Sequence, residues 1–333
     1  MNPVTPWSNA ARLFGQRWMK VARGFPIVAR AIARPAPGQA LLSPNGTLIQ
    51  IENTNYCNFR CSYCPTHSPN SSVEKPSRGH MSIAHFGAVL DAHPRARLAV
   101  IQGQGEPLMD PTLFDKIDLA RQRRILTQVI SNGSLLTDAM RERLWAAGPD
   151  VLLFSIDSTS PEGNESARRG LRFFEVMDRI RFLTGGRKQS SRSMIVGLLS
   201  IVHGPFDDDV QNALLRFNDL GIDLLLYKQL NASFENRIRG YRAPSVNGVP
   251  RTVQSQLNYI VSHQRVASVA PCAQVRFDWP YYLWDGTRTA CCVLNDKRYG
   301  AEEFSRPTLL RRFKDRCMPG ECERCSFFTG YPS

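Results

Sequence analysis

Nine cysteines are spread unevenly over the 333 residues, and three of them fall within eight positions, Cys57-Asn58-Phe59-Arg60-Cys61-Ser62-Tyr63-Cys64. The C-x3-C-x2-C spacing can turn three thiolates toward one point. Soft sulfur ligands select zinc, Cu(I) or an iron–sulfur cluster. A structural zinc site wants a fourth protein ligand, and His67 is the near candidate. Three thiolates on a 4Fe–4S cluster instead leave one iron open to a substrate. The other six are Cys272, Cys291, Cys292, Cys317, Cys322 and Cys325. Cys322-Glu323-Arg324-Cys325 can grip one metal centre from a single turn. Cys291 follows Asp285-Gly286 as G-x4-C, which reads as a hairpin turn and then a strand bearing a ligand. Four such cysteines also read as a zinc ribbon.

These groups need a scaffold, and from Thr47 onward short apolar runs alternate with helical patterns. Candidate strands are 47–52, 98–102, 126–131, 151–157, 194–201 and 223–228. Candidate helices are 83–92, 111–124, 138–147, 168–183 and 207–220. Six strand–helix alternations predict an α/β fold, a parallel sheet with crossover connections. In parallel barrels chemistry sits at the carboxyl ends of the strands. The notable residues fall there in order: the cysteine loop, then Gly103-Gln104-Gly105-Glu106-Pro107, then Ser131-Asn132-Gly133, then Ser155-Ile156-Asp157. Glycines let backbone approach a ligand closely, and Glu106 can accept from an ammonium group. The period of two puts Ser155 and Asp157 on one side of a strand. Taken singly, Asn132-Gly133 is an ordinary turn and Asp157 a helix-capping acid. Arg168, Arg169 and Arg172 read as a solvated helix face, or as a reach toward an anionic group. Gly103-x-Gly105 lacks the third glycine of a dinucleotide fingerprint, since Leu108 stands there.

Together these stretches resemble the radical S-adenosylmethionine (radical SAM) family. The resemblance covers about residues 47–333. It implies a partial (βα)6 parallel barrel followed by a small cysteine-rich α+β domain. It implies that Cys57, Cys61 and Cys64 hold a 4Fe–4S cluster whose open iron binds S-adenosylmethionine, with Tyr63 packing near the adenine. Gly105, Glu106 and Pro107 are similar to the Gly-Gly-Glu-Pro motif that holds the methionine amino group, with Gln104 where the first glycine often stands. Ser131 and Asn132 resemble a Thr-Asn-Gly strand end near the ribose and carboxylate, and Ser155 and Asp157 correspond to positions lining the cofactor or substrate cavity. The C-terminal set resembles a twitch (shortened SPASM) extension, in which Cys272, Cys291, Cys322 and Cys325 would hold an auxiliary 4Fe–4S cluster. Cys292 and Cys317 are then left over: each is incidental, or one is a catalytic hydrogen-atom donor, as in radical epimerases. Cys317 could also replace one of the four ligands.

The implied activity is cleavage of S-adenosylmethionine to a 5′-deoxyadenosyl radical that abstracts hydrogen from a substrate. An auxiliary cluster suggests dehydrogenation or epimerisation, of a sugar, cyclitol or lipid-linked metabolite. An external one-electron reductant of flavodoxin or ferredoxin type is the expected partner. Peptide-modifying relatives often carry a leader-binding module, for which the 46-residue extension is too small, so a peptide or protein maturase is the alternative. A non-catalytic, membrane-associated metal-binding protein is the alternative of another class.

Charge and composition bound the rest. Hydrophobic residues make up 42% and charged residues 21%, as in ordinary globular chains. No run of about 18 apolar residues suggests a membrane span. Clustered cysteines in a chain of this length point away from a secreted disulfide framework and toward a cytoplasmic metalloprotein. Six of the thirteen net positive charges lie before Glu52, the first acidic residue. Residues 1–46 read as a basic amphipathic extension with Phe14, Trp18, Val21, Phe25, Val28 and Ile32 in a helical stripe. It could touch an anionic membrane surface through residues 10–34, peripherally at the inner face, or pack on the barrel or a second subunit. The expected organisation is 1–46 extension, 47–230 barrel, 231–262 linker or lid and helix, and 263–333 auxiliary domain. Lys228 and Gln229 close the last candidate strand toward the cavity. Arg237, Arg239, Tyr241 and Arg242 sit on the lid, and no recognised RNA-binding pattern accompanies them.

Overall fold

The computed structural model describes residues 48–72, 77–157, 160–189, 194–202, 220–229, 270–276, 278–294, 297–300, 302–325, 328 and 331. The N-terminal extension, the lid and most of the candidate helix 207–220 lie outside these residues.

The first strand, β1 (Leu48–Ile51), is nearly all buried, as a strand covered on both faces must be. It pairs in parallel with β2 (Leu98–Ile101), which pairs with β3 (Leu126–Ser131), then β4 (Val151–Ser155), β5 (Ile195–Val202) and β6 (Leu224–Gln229). Parallel neighbours need crossovers. The described ones are α1 (Ile83–Asp91), α2 (Leu113–Gln122), α3 (Asp138–Ala147), and the pair α4 (Pro161–Ala167) and α5 (Phe173–Gly185). Each helix starts where the sequence offers a local start. Ser82, Thr137 and Ser160 accept hydrogen bonds from the backbone N–H three residues on in α1, α3 and α4. The core lies between strands and helices, with Ile49, Ile51, Ile101, Val129 and Phe154 facing Phe86, Ile117, Leu144 and Ile180. This is the parallel α/β arc the alternation predicts.

Two departures matter for the site. The expected single helix 168–183 is two. Gly170 takes a positive φ of +107° between them, and Arg168 turns inward instead of joining a solvated face. The first of the two is capped by Ser160, not by Asp157. The C-terminal cysteine region also does not stand apart from the sheet. Its hairpin, β7 (Tyr281–Tyr282) and β8 (Arg288–Thr289), extends the same sheet, β7 lying parallel to β1 on the edge opposite β2. Gln50 and Glu52 donate their backbone N–H to Pro280 O and Tyr282 O at 3.0 and 2.8 Å. The Asp285-Gly286 turn forms as expected, with Gly286 at φ +87°. The short helices α6 (Ala273–Arg276) and α8 (Gly320–Glu323), and the longer α7 (Arg306–Lys314), complete this part.

Candidate functional site

The cysteine loop follows β1 and is held by backbone from two directions. Arg60 N donates to Arg169 O at 2.9 Å and Ser62 N to Ala167 O at 2.8 Å, zipping the loop to the α4–α5 connection. Asn58 accepts from Asn132 Nδ2 at 2.9 Å and donates to Ser134 Oγ at 2.8 Å, tying the loop to the end of β3. Two sulfurs already receive backbone donors: Phe59 N points at Cys57 Sγ (3.4 Å) and His67 N at Cys64 Sγ (3.3 Å). Such donors stabilise sulfur that has lost its proton. His67 Nε2 lies 3.1 Å from Asn55 O, so the ring is engaged with backbone rather than turned to the cysteines. Burial pushes the Cys57 thiol up to about 12 and the Cys61 thiol up to about 11, with the neighbouring cysteines adding to both. Loading with metal therefore has to displace protons from these thiols.

The loop after β2 lies flush on the residues leading into the cysteine loop. A Cβ on Gly105 would sit 2.2 Å from Thr54 O, so no side chain fits. Glu106 N donates to Tyr56 O at 2.7 Å. The Glu106 carboxylate is buried and accepts three hydrogen bonds: Leu108 N at 3.0 Å, Ser131 Oγ at 2.7 Å and Asn132 N at 2.7 Å. Burial holds its carboxyl above the usual range, against the pull of these donors. Glu106 thus fastens the end of β2 to the end of β3. Pro107 opens the 3-10 turn that follows. Asn132 Oδ1 in turn accepts from Ser134 N and Oγ, at 2.9 and 2.6 Å.

The end of β4 meets the cysteine loop through a buried ion pair. Asp157 accepts from Tyr63 OH at 2.7 Å and from Arg168 Nη2 at 2.8 Å, and its N–H donates to Asn164 Oδ1 at 2.8 Å. Side-chain exposure is 1% for Asp157 and 7% for Arg168. The Arg168 guanidinium lies 5.4 Å from the centre of the Tyr63 ring, within cation–π range. Burial opposes its charge, but Asp157 and Tyr63 hold its pKa above the ordinary value. Burial likewise raises the Tyr63 phenol. Ser155 is half-buried at the last residue of β4.

The second cysteine group forms around a pocket. Cys272, Cys291, Cys322 and Cys325 line one apolar cavity with Val275 and Leu294. Cys291 sits two residues past β8 rather than on it. Leu294 N points at its sulfur at 3.5 Å, and the Cys272 sulfur receives the N–H groups of Val275 and Gln274. Cys325 N donates to Cys322 O at 3.0 Å, closing the C-x2-C turn. Among the described residues no group of three or more His, Cys, Asp or Glu converges on a single-ion point. Four thiols around a cavity, with amide donors on two of them, fit a polynuclear iron–sulfur group better than one tetrahedral ion. Cys292 is half-buried beside this set and Cys317 is exposed; neither lines the cavity.

Sequence reasoning did not single out Glu52, Asn58 or the inward turn of Arg168. Glu52 is 2% exposed and accepts from Gln104 N at 2.7 Å and Tyr281 OH at 3.3 Å. Burial pushes its carboxyl up to about 7. Its signal was available: it is the first acid in the chain and sits at a strand end. The placement of Arg168 had no local signal, because Arg169 and Arg172 beside it are exposed. Gln104, read as a departure from the glycine motif, lies 3.5 Å from Cys64 Sγ.

Residues 51–215 match the family described as the Radical SAM superfamily. The chain belongs to the radical SAM superfamily. Membership implies S-adenosylmethionine and a 4Fe–4S cluster, and an external reductant. Among relatives, the PqqA peptide cyclase of Granulibacter bethesdensis is 30% identical over 124 residues, 37% of this chain and 31% of its own. An S-adenosylmethionine-dependent nucleotide dehydratase of Lacinutrix mariniflava is 23% identical over 267 residues, 76% of this chain and 51% of its own. The chain thus spans about a third to a half of the length of these curated relatives. Streptococcus suis SuiB bound to S-adenosylmethionine shares the fold at 11% identity and a TM-score of 0.60, over 86% of this chain and 72% of that one. No helix among the described residues is long and apolar enough to cross a membrane.

Proposed function

We propose that this radical SAM enzyme holds its S-adenosylmethionine-binding 4Fe–4S cluster on Cys57, Cys61 and Cys64, and an auxiliary one on Cys272, Cys291, Cys322 and Cys325. Bound there, the first group supplies one-electron cleavage of S-adenosylmethionine and hydrogen abstraction from substrate. The chain's own part is positional. Asn58, Arg60 and Ser62 fix the cysteine loop to the ends of β3 and α4. Gly105 and Gly103 keep the loop after β2 bare of side chains, so its backbone can approach the methionine amino group. Glu106 serves as a brace for that loop, with Ser131 and Asn132 as its partners. Tyr63 offers its ring to the nucleoside while its hydroxyl is tied to Asp157, and Ser155 stands at the same strand ends.

The observation that carries the reading is the sorting of seven of nine cysteines into two sulfur-only constellations, each with backbone N–H groups aimed at sulfur. The favoured outcome is oxidation or epimerisation of a small molecule, a sugar, cyclitol or lipid-linked metabolite. The relative matching the largest share of the chain among those named acts, by its name, on nucleotides. A peptide substrate is the second reading, favoured by the PqqA peptide cyclase. An epimerase outcome needs a hydrogen-atom donor, and Cys292 and Cys317 are the candidates.

Anaerobic reconstitution tests the proposal. About eight irons per chain and release of 5′-deoxyadenosine with reductant are expected. About four irons, or zinc in the C-terminal set, removes the auxiliary cluster. Turnover in deuterated water then separates the outcomes: deuterium in product, lost in Cys292→Ala or Cys317→Ala, marks epimerisation. A carbonyl or alkene product indifferent to both substitutions marks dehydrogenation.

A further inference from the structure

The Asp157–Arg168 pair is more than a brace. It joins three things that have no sequence proximity: the tyrosine of the cysteine loop, the end of β4 and the α4–α5 connection. The connection is fitted to the loop by backbone as well as by side chain. Gly170 reaches a positive φ so that its backbone can lie against Phe59 of the loop, where a Cβ would come within 3.0 Å of the ring. That approach carries the Arg168 guanidinium into the interior beside the cysteines.

Burial makes the charge consequential. In a low-dielectric surrounding a full charge acts strongly on its neighbours. The guanidinium acts on the Cys61 thiol more strongly than the carboxylate of Asp157 does, in the direction that favours negative charge on sulfur. It also acts on Glu106, across the site. The ion pair is therefore not electrically silent at the cysteines: its positive end is the nearer influence. In addition, Arg168 Nε is buried with no hydrogen-bond partner in the protein. Buried donors are nearly always paired, so a lone one beside a sulfur site points to an acceptor that belongs there.

Resting on the assignment of Cys57, Cys61 and Cys64 as cluster ligands, we propose that Arg168, oriented by Asp157, is a positioning residue that sets the reduction potential of that cluster. Adding an electron makes an iron–sulfur cluster more negative, and a buried cation favours the more negative state. Hydrogen bonds and net charge around the sulfurs are the general levers on such potentials. The electron comes from the external one-electron reductant, and Arg168 changes only how readily it is taken. Tyr63 shares the same carboxylate, so the adenine-side aromatic and the redox setting are linked through Asp157.

The test is an EPR-monitored redox titration of the reconstituted protein, with the auxiliary cysteines replaced by alanine so that one cluster is read. Arg168→Gln is expected to disfavour reduction at least tenfold, about 59 mV downward for a one-electron couple. Arg168→Lys keeps the charge and loses the fork, and is expected to return most of that shift. Asp157→Asn keeps the cation but removes its counter-charge, and is expected to move the potential the opposite way. A merely structural role predicts the same direction for all three. Potentials within threefold of the parent in Arg168→Gln and Asp157→Asn overturn the proposal. Should Arg168→Gln bind no iron, Asp157→Asn decides by the sign of its shift. Absence of iron in the parent itself would instead sink the cluster assignment, which the iron count shows separately.

Discussion

At the scale of single residues, the site is built from groups that cannot be exchanged for similar ones. Gly105 is the sharpest case, since a methyl group there meets Thr54 O at 2.2 Å and Tyr56 O at 2.7 Å, both backbone. Neither neighbour can rotate away. Gly105→Ala is expected to displace the loop after β2 and weaken S-adenosylmethionine binding at least tenfold, measured by calorimetry on the reconstituted protein. Glu52 gives a pH signature. Its carboxyl is raised from 4.5 to about 7 by burial, with Asp285 adding to the rise and the donors Gln104 N, Trp284 N and Tyr281 OH opposing it. A raised carboxylate pKa means the folded state holds the proton longer than the unfolded one. Stability from this group is present below pH 4.5 and is lost as pH rises to about 7, by about 3 kcal/mol in all. Glu52→Gln keeps the acceptor for Gln104 N and removes the titration. Its melting temperature relative to the parent should climb between pH 5 and 7.5; a constant difference across that range contradicts the assignment.

At the scale of elements, the strands and helices matter through how their ends are joined. Asp157 lies just beyond β4 and Arg168 just beyond α4, and their pairing closes the gap between those elements behind the cysteine loop. Removing one partner of a buried pair strands the other. Asp157→Ala is expected to destabilise the protein by about 3–5 kcal/mol in chemical denaturation, against about 1 kcal/mol for Tyr63→Phe, which removes one hydrogen bond. Equal effects would mean that the ion pair is not the element that holds the connection. The hairpin of β7 and β8 does a comparable job on the other side. Its Tyr281 shares Glu52 with Gln104, and Gln104 reaches Cys64, so the first loop and the C-terminal region meet through two side chains.

At the scale of the whole molecule, two sulfur constellations belong to one continuous sheet. The first lies past the carboxyl end of β1, and the second follows a hairpin paired to the same strand. Metal loading of the two should nevertheless be separable, because the ligands of each set come from their own part of the chain. Replacing Cys57, Cys61 and Cys64 together by alanine should halve the iron to about four per chain and abolish 5′-deoxyadenosine formation. Replacing Cys272, Cys291, Cys322 and Cys325 should halve the iron but leave the uncoupled cleavage of S-adenosylmethionine in place. Loss of all iron in either set would show that the two parts fold around their metals as one unit.

Much of this was legible before any coordinates. Alternation of apolar runs with amphipathic stretches is a local property, and β1 to β6 fall within a residue or two of the runs that announced them. Cysteine spacing is likewise local, which is why both sulfur groups and the Asp285-Gly286 turn could be read off the chain. What could not be read is anything set by contacts far apart in sequence. Arg168 looks like its exposed neighbours until Asp157 and Tyr63, 11 and 105 residues away, are placed beside it. Glu106 looked like a group waiting for a ligand until Ser131 and Asn132 were found to occupy its carboxylate. Glu52 became a titrating joint only once Tyr281, 229 residues on, was folded against it. Residue type and spacing determine which chemistry a chain can hold; burial and partner choice are sums over the whole packed interior, and only the tertiary structure carries out that sum.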